Sequence, residues 1–101
     1  MQIIQCLTEL IDDELADAKR YAELALQYRD AHPDAAKLFR SLSDEEMRHM
    51  ERLHAAAEEI IAEHRRTKGE PPADMLAVYR YVHGKETEKA KEIKIIQAMY
   101  G

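Results

Sequence analysis

Residues 42–49 read LSDEEMRH, a run dominated by helix-compatible residues, with no glycine, proline or β-branched residue. Apolar residues on both sides recur at steps of three and four, and this period crosses the run in phase. The Ser-x-x-Glu spacing that begins at Ser43 therefore does not mark the start of a new helix, although it matches a capping box. Glu46 and His49 occupy positions where the period calls for apolar side chains. The run predicts the middle of one long helix that turns a carboxylate and an imidazole inward.

The second helix is predicted over about residues 34–67. Pro33 suits the start of a helix, and no glycine or proline follows it until Gly69. At about 1.5 Å per residue, such a helix is longer than about 40 Å. Its predicted inward stripe consists of Ala35, Leu38, Phe39, Leu42, Leu53, Ala56 and Ile60.

One further helix is predicted before this one in the chain, and another after it. The first covers about residues 2–30 and ends before Pro33, because the residue that precedes a proline is pushed out of the α region. The third covers about residues 73–99 and follows Pro71 and Pro72. The predicted inward residues are Ile4, Leu7, Ile11, Ala18, Tyr21, Ala25 and Tyr28 in the first helix, and Met75, Tyr79, Val82, Ala90, Ile93 and Ile96 in the third.

The composition agrees with an all-α protein. The chain has 101 residues with one Phe and two Val, so strand formers are scarce, and its length suits a single domain over residues 1–101. Cys6 is the only cysteine, which excludes an intrachain disulfide and a zinc site built from thiolates. Any metal would have to bind to carboxylates and imidazoles.

Charge and hydropathy exclude several classes of partner. The net charge of −5 is spread along the chain without a basic stripe, so nucleic acid is not expected as a partner. No run approaches the roughly 18 apolar residues of a membrane span, and the beginning, MQIIQCLTELIDDE, lacks the basic segment of a secretory signal. We therefore expect a cytoplasmic protein without a membrane partner.

The lengths of the helices predict the architecture. The first two form a long antiparallel hairpin, and the third, C-terminal helix lies against it. Three such helices leave an open groove. We expect a second copy to supply the missing helical face across a two-fold axis, so that the ferritin-like bundle is completed by dimerisation and the protein is at least a homodimer.

Three polar side chains interrupt the inward stripes: Glu14 in the first helix, and Glu46 and His49 in the second. Glu46 and His49 are three residues apart and share one helical face. If the hairpin turns near residue 32, Glu14 lies at a similar depth on the opposite helix. A buried carboxylate is costly unless it is paired, so these residues predict either a metal site or a hydrogen-bonded network that fixes the register of the helices.

This pattern resembles the ferritin-like di-iron carboxylate superfamily, in which one helix gives Glu and the next gives Glu-x-x-His. The stretch ELALQY at residues 23–28 and the run at residues 42–49 are similar to the rubrerythrin type. Residues 70–101 contain no second Glu-x-x-His, and in this the chain resembles the short encapsulated-ferritin-like proteins, which build one di-iron centre from two chains. The C-terminal sequence KIIQAMYG does not resemble an encapsulin-docking peptide.

Other residues are weaker candidates. Glu86 shares a heptad row with inward residues of the third helix, so it is predicted either as a further metal ligand or as one charge of a solvated run. His83 is a weaker candidate still. His54, part of a second Glu-x-x-His that begins at Glu51, is interpreted as a packing residue or as a partner of a metal ligand.

Two functions follow from these patterns. In the first, two chains each give Glu14, Glu46 and His49 to a di-metal site, with two iron ions per dimer, and the resemblance implies oxidation of ferrous iron. Manganese and zinc suit the same ligands. In the second, the chain is a helical interaction module without catalytic activity, and its inward polar residues serve only to set the register.

Overall fold

A computed structural model describes residues 2–101, and it consists of three helices joined by two short connections. Helix α1 covers Gln2–Tyr28, α2 covers Pro33–Lys68 and α3 covers Ala73–Tyr100. The described part of the chain contains no strand. The all-α prediction with a long hairpin followed by a third helix is confirmed, and the resulting rod measures 55 × 18 × 18 Å.

The helix ends follow from the residues at the two connections. The amide of His32 donates to the carbonyl of Tyr28 at 2.9 Å, and Pro33 then begins α2, where its missing N–H costs nothing. Gly69 follows α2 with a φ of 85°, a conformation that favours glycine. The two prolines after it lead into α3. In the first turn of α3 the amide of Leu76 donates to the carbonyl of Pro72 at 3.1 Å.

The core lies where α3 packs against the hairpin, mainly on α1 and less extensively on α2. It divides into two apolar clusters along the rod. The cluster near the N-terminus contains Ile4, Leu7, Ala57, Ile61 and Leu76, and the central cluster contains Ile11, Leu15, Ala18, Met47 and Ile93. Both clusters draw on all three helices, so α3 is part of the fold and not an appendage.

A buried hydrogen-bonded chain fixes the relative positions of the three helices. The Ser43 hydroxyl of α2 donates to the carbonyl of Ala18 in α1 at 2.7 Å, and the Gln97 amide of α3 donates to the Ser43 oxygen at 2.9 Å. Ser43 and Gln97 are 0% and 7% exposed. Because unpaired polar groups are costly in such a place, a shift of any helix by one residue would be penalised.

The predicted inward stripe of α2 was wrong by about one residue. The residues that α2 buries are Ala36, Ser43, Met47, Ala57 and Ile61. In α1, Leu15 and Ala22 are buried beside the predicted positions, so Glu14 lies at the flank of the core and not within it. Alanine and serine form the α1–α2 contact because small side chains allow the two backbones to approach closely, whereas the larger leucines of α2 are left at its edge.

An apolar face of the hairpin therefore remains uncovered in the single chain. We call it the open face and define it by Ile3 and Leu10 of α1 and Leu38 and Leu42 of α2. Ile3, Leu10 and Leu38 are 48%, 42% and 56% exposed. Helical spacing places Glu14 on the same side of α1 as Leu10. Within residues 2–101, no helix has both the length and the apolar character needed to cross a membrane.

Candidate metal centre

The structure brings together three of the four residues singled out as metal ligands. Glu14 comes from α1, and Glu46 and His49 come from successive turns of α2. Each offers one ligand atom, and these three atoms all lie within 4.8 Å of one another. Within residues 2–101 this is the only group of three or more such side chains that converges so closely.

The His49 imidazole is the point where the two carboxylates meet. Its Nδ1 atom lies 3.3 Å from Oε2 of Glu14 and 3.8 Å from Oε1 of Glu46. The side chains of Glu14 and Glu46 are 25% and 18% exposed, while that of His49 is 51% exposed. The group thus lies at the surface of the open face, where a ligand from outside the chain can reach it, and His49 is not turned inward as predicted.

The electrostatics of the group favour the binding of a positive charge. A hydrogen bond to Glu14 raises the pKa of Glu46 to about 7, and desolvation and the charge of Glu14 add to this increase. His49 acts in the opposite direction, and Asp17 adds to the increase. Two carboxyl groups that share a proton in this way resist holding two negative charges together. A divalent cation in the position of that proton would remove the conflict.

The donor atoms and the space around them fit a first-row transition metal. Carboxylate oxygen and imidazole nitrogen are ligands for iron, manganese and zinc alike, so this set does not select one of them. Three protein ligands leave coordination positions open. A cavity of about 380 Å³ adjoins the group and is lined by Glu14, His49, Arg52 and Leu53, so further ligands have room to approach.

The fourth predicted ligand lies elsewhere. Glu86 is 6% exposed, which excludes the alternative of a solvated charge, but it lines a different cavity, between α2 and α3, together with His54 and His83. Burial raises the pKa of Glu86 to about 7, and the nearby charge of Asp12 adds to this effect. His83 and Glu86 are thus separated from the converging group within one chain.

Sequence reasoning missed two residues that affect this site. Asp17 lies three residues after Glu14 and acts on the pKa of Glu46 across the helix pair. Arg52 follows His49 by three residues and supplies the one cationic side chain in the lining of the adjoining cavity. The i, i+3 spacing could have indicated both, because residues so spaced share a helical face.

One comparison with known proteins gave a match. The model of the rubrerythrin family matches residues 5–100, which is nearly the whole chain. No curated protein and no solved structure gave a significant match. The family match spans α1, α2 and α3 and so includes both helices that carry Glu14, Glu46 and His49. The chain therefore belongs to the rubrerythrin family.

Proposed function

We propose that this protein binds iron at Glu14, Glu46 and His49, and that two copies join their groups into one di-iron centre that oxidises ferrous iron. The observation that carries the proposal is the convergence of the three ligand atoms within 4.8 Å on a half-exposed face. Membership of the rubrerythrin family supports metal binding of the ferritin-like kind.

The open face supports the pairing of two chains. Large apolar side chains lie on it beside the metal-binding group, and Leu10 and Leu38 remain about half exposed in the single chain. A two-fold axis that passes between two such faces would bury these side chains and bring both groups together. The joint centre would hold four carboxylates and two imidazoles, and the carboxylates would neutralise two divalent ions.

The residues of the chain have separate tasks in this proposal. Glu14 and Glu46 hold the ions and give up their shared proton when the ions bind, so the affinity falls as the pH is lowered. His49 supplies a neutral nitrogen ligand, and the neighbouring carboxylates orient its ring. Iron would supply the one-electron chemistry with dioxygen or peroxide, and the cavity beside Arg52 would admit the oxidant.

The alternative, a helical module whose polar residues only set the register, is less well supported at this site. The buried chain from Gln97 through Ser43 to Ala18 already fixes the register of all three helices. His49 is 51% exposed, which is unlike a member of a buried structural network. The metal-binding group is therefore available for another task.

A metal titration tests the proposal. Manganous ion is a suitable probe under air, and ferrous ion is used without oxygen. We expect Glu46→Ala and His49→Ala each to weaken binding by about 10-fold or more, with the helical content unchanged. Glu45→Ala, at the exposed position next to Glu46, is the matched control and should bind as the wild type does. Equal binding by the wild type and the Glu46→Ala variant would refute the proposed site.

A further inference from the structure

A second cavity lies between α2 and α3. It has a volume of about 200 Å³, and its lining includes His54 of α2 and His83 and Glu86 of α3. None of these residues belongs to the converging group formed by Glu14, Glu46 and His49. A cavity of this size holds several water molecules at about 30 Å³ each, so an ion with part of its hydration shell also fits.

One polar atom at this cavity lacks the partner that burial normally requires. Glu86 is 6% exposed and lines the same cavity three residues after His83. The Nδ1 atom of His83 is buried and has no hydrogen-bond partner in the described chain. Unsatisfied groups of this kind are rare in native proteins, and an ion or a water molecule often accounts for them.

The two histidines pack against each other at the cavity. The rings of His54 and His83 are stacked, with centroids 4.5 Å apart and planes 10° from parallel. Nε2 of His54 lies 3.6 Å from Oε1 of Glu58, and the Tyr79 hydroxyl donates to the same carboxylate oxygen at 2.9 Å. A carboxylate on one imidazole nitrogen orients the ring and leaves its other nitrogen for a metal, which is a common arrangement around metal-ligating histidines.

We propose that the cavity between α2 and α3 is a second metal site, in which His54, His83 and Glu86 bind one divalent transition-metal ion per chain. Two imidazoles and one carboxylate favour such metals over calcium or magnesium, which prefer oxygen ligands alone. The ion would give a partner to the unsatisfied Nδ1 atom of His83. It would also tie α3 to α2, which are the two helices with the fewest contacts in the fold.

The ligand atoms of this proposed site are less preorganised than those of the first. His54, His83 and Glu86 do not converge within 4.8 Å as the first group does, so the ion would draw the side chains together by rotation about their χ angles. His83 and Glu86 are three residues apart on one face of α3, which allows both to turn towards the same ion. The site lies within one chain and therefore does not depend on dimerisation.

Cobaltous ion tests the proposal, because its visible absorption reports the number and kind of its ligands. The titration uses the full chain with the double substitution Glu46→Ala and His49→Ala, which removes the first site. We expect one cobaltous ion per chain to remain bound in this background. Adding His83→Ala or the nearly isosteric Glu86→Gln should weaken this binding by about 10-fold or more and alter the spectrum. His64→Ala, at a histidine that bonds to the carbonyl of Gly69, is the control and should change neither.

The outcomes separate the two sites. The second site is refuted if the background variant binds no cobaltous ion, which would mean that only water fills the cavity. Residual binding that survives both His83→Ala and Glu86→Gln would refute it equally. If instead the wild type and the Glu46→Ala, His49→Ala background bind the same single ion, and His83→Ala removes it, the second site stands and the first fails. Circular dichroism of each variant checks that the helices remain formed.

Discussion

The substitution Glu46→Gln should stabilise the metal-free protein and remove most of the stabilisation that a bound metal gives. In the metal-free protein the pKa of Glu46 is raised from 4.5 to about 7, chiefly by its hydrogen bond to Glu14. A raised pKa in the folded state means that the proton stabilises the fold fully below pH 4.5. This stabilisation is lost as the pH rises to about 7. At about 1.36 kcal/mol per pKa unit, the loss from this group amounts to about 3 kcal/mol.

Gln cannot ionise, and its amide can still donate to Glu14. In chelator at about pH 8, the variant should therefore exceed the wild type in its free energy of unfolding by up to about 3 kcal/mol, and near pH 4.5 the two should be almost equal. Manganous ion at a hundredfold excess over its dissociation constant should stabilise the wild type by about 2.7 kcal/mol and the variant much less. Urea unfolding at one fixed protein concentration measures both effects.

Glu45→Gln is the matched control, because it removes one negative charge from the exposed neighbour. It should change the free energy of unfolding by no more than about 0.5 kcal/mol. The reasoning is refuted if Glu46→Gln destabilises the protein in chelator at about pH 8. It is refuted equally if manganous ion stabilises the variant as much as it stabilises the wild type.

Three further predictions follow from the fold and the open face. Ser43→Ala should lower the free energy of unfolding by about 1–3 kcal/mol, because it leaves the buried Gln97 amide unpaired. The control Ser41→Ala, at an exposed position, should have little effect, and urea unfolding compares the two variants. Leu10→Glu on the open face should convert dimers into monomers of 11.7 kDa, as measured by light scattering. The control Val78→Glu, at a residue of α3 that is 63% exposed, should leave the dimer intact. A wild type that is already monomeric would contradict the proposed pairing. Gly84→Ala should raise the free energy of unfolding by about 1 kcal/mol, because the position is within α3 and no atom lies within 4 Å of an added Cβ; destabilisation in a thermal melt would contradict this.

The sequence predicted the helices well because their signals are local. Pro33 and Gly69 act within a few residues of the helix ends that they define, and apolar periodicity is a pattern of residues three or four positions apart. The phase of α2 was harder to predict, because two neighbouring stripes both carry apolar residues. The stripe with larger residues, such as Leu38 and Leu42, suggested the core, whereas the structure buries the stripe that includes Ala36.

The two proposed metal sites also differ in how far local sequence patterns could predict them. Glu14, Glu46 and His49 could be placed together from helical phase and from their depth on a hairpin, which require only that α1 and α2 be antiparallel. The stacking of His54 on His83 depends on how α3 crosses the hairpin, and no residue spacing within one helix determines that. Reasoning from periodicity therefore grouped Glu14, Glu46 and His49 and did not group the residues of the cavity between α2 and α3.

The central claim is that Glu14, Glu46 and His49 hold iron, and the most direct test is an oxygen-free ferrous titration of the wild type beside His49→Ala. Each chain carries half of the proposed centre, so the wild type should bind one ferrous ion per chain that the variant binds about 10-fold or more weakly. Taking the difference removes any contribution from the cavity between α2 and α3. Equal numbers of ferrous ions bound with equal affinity by the two proteins would contradict the account.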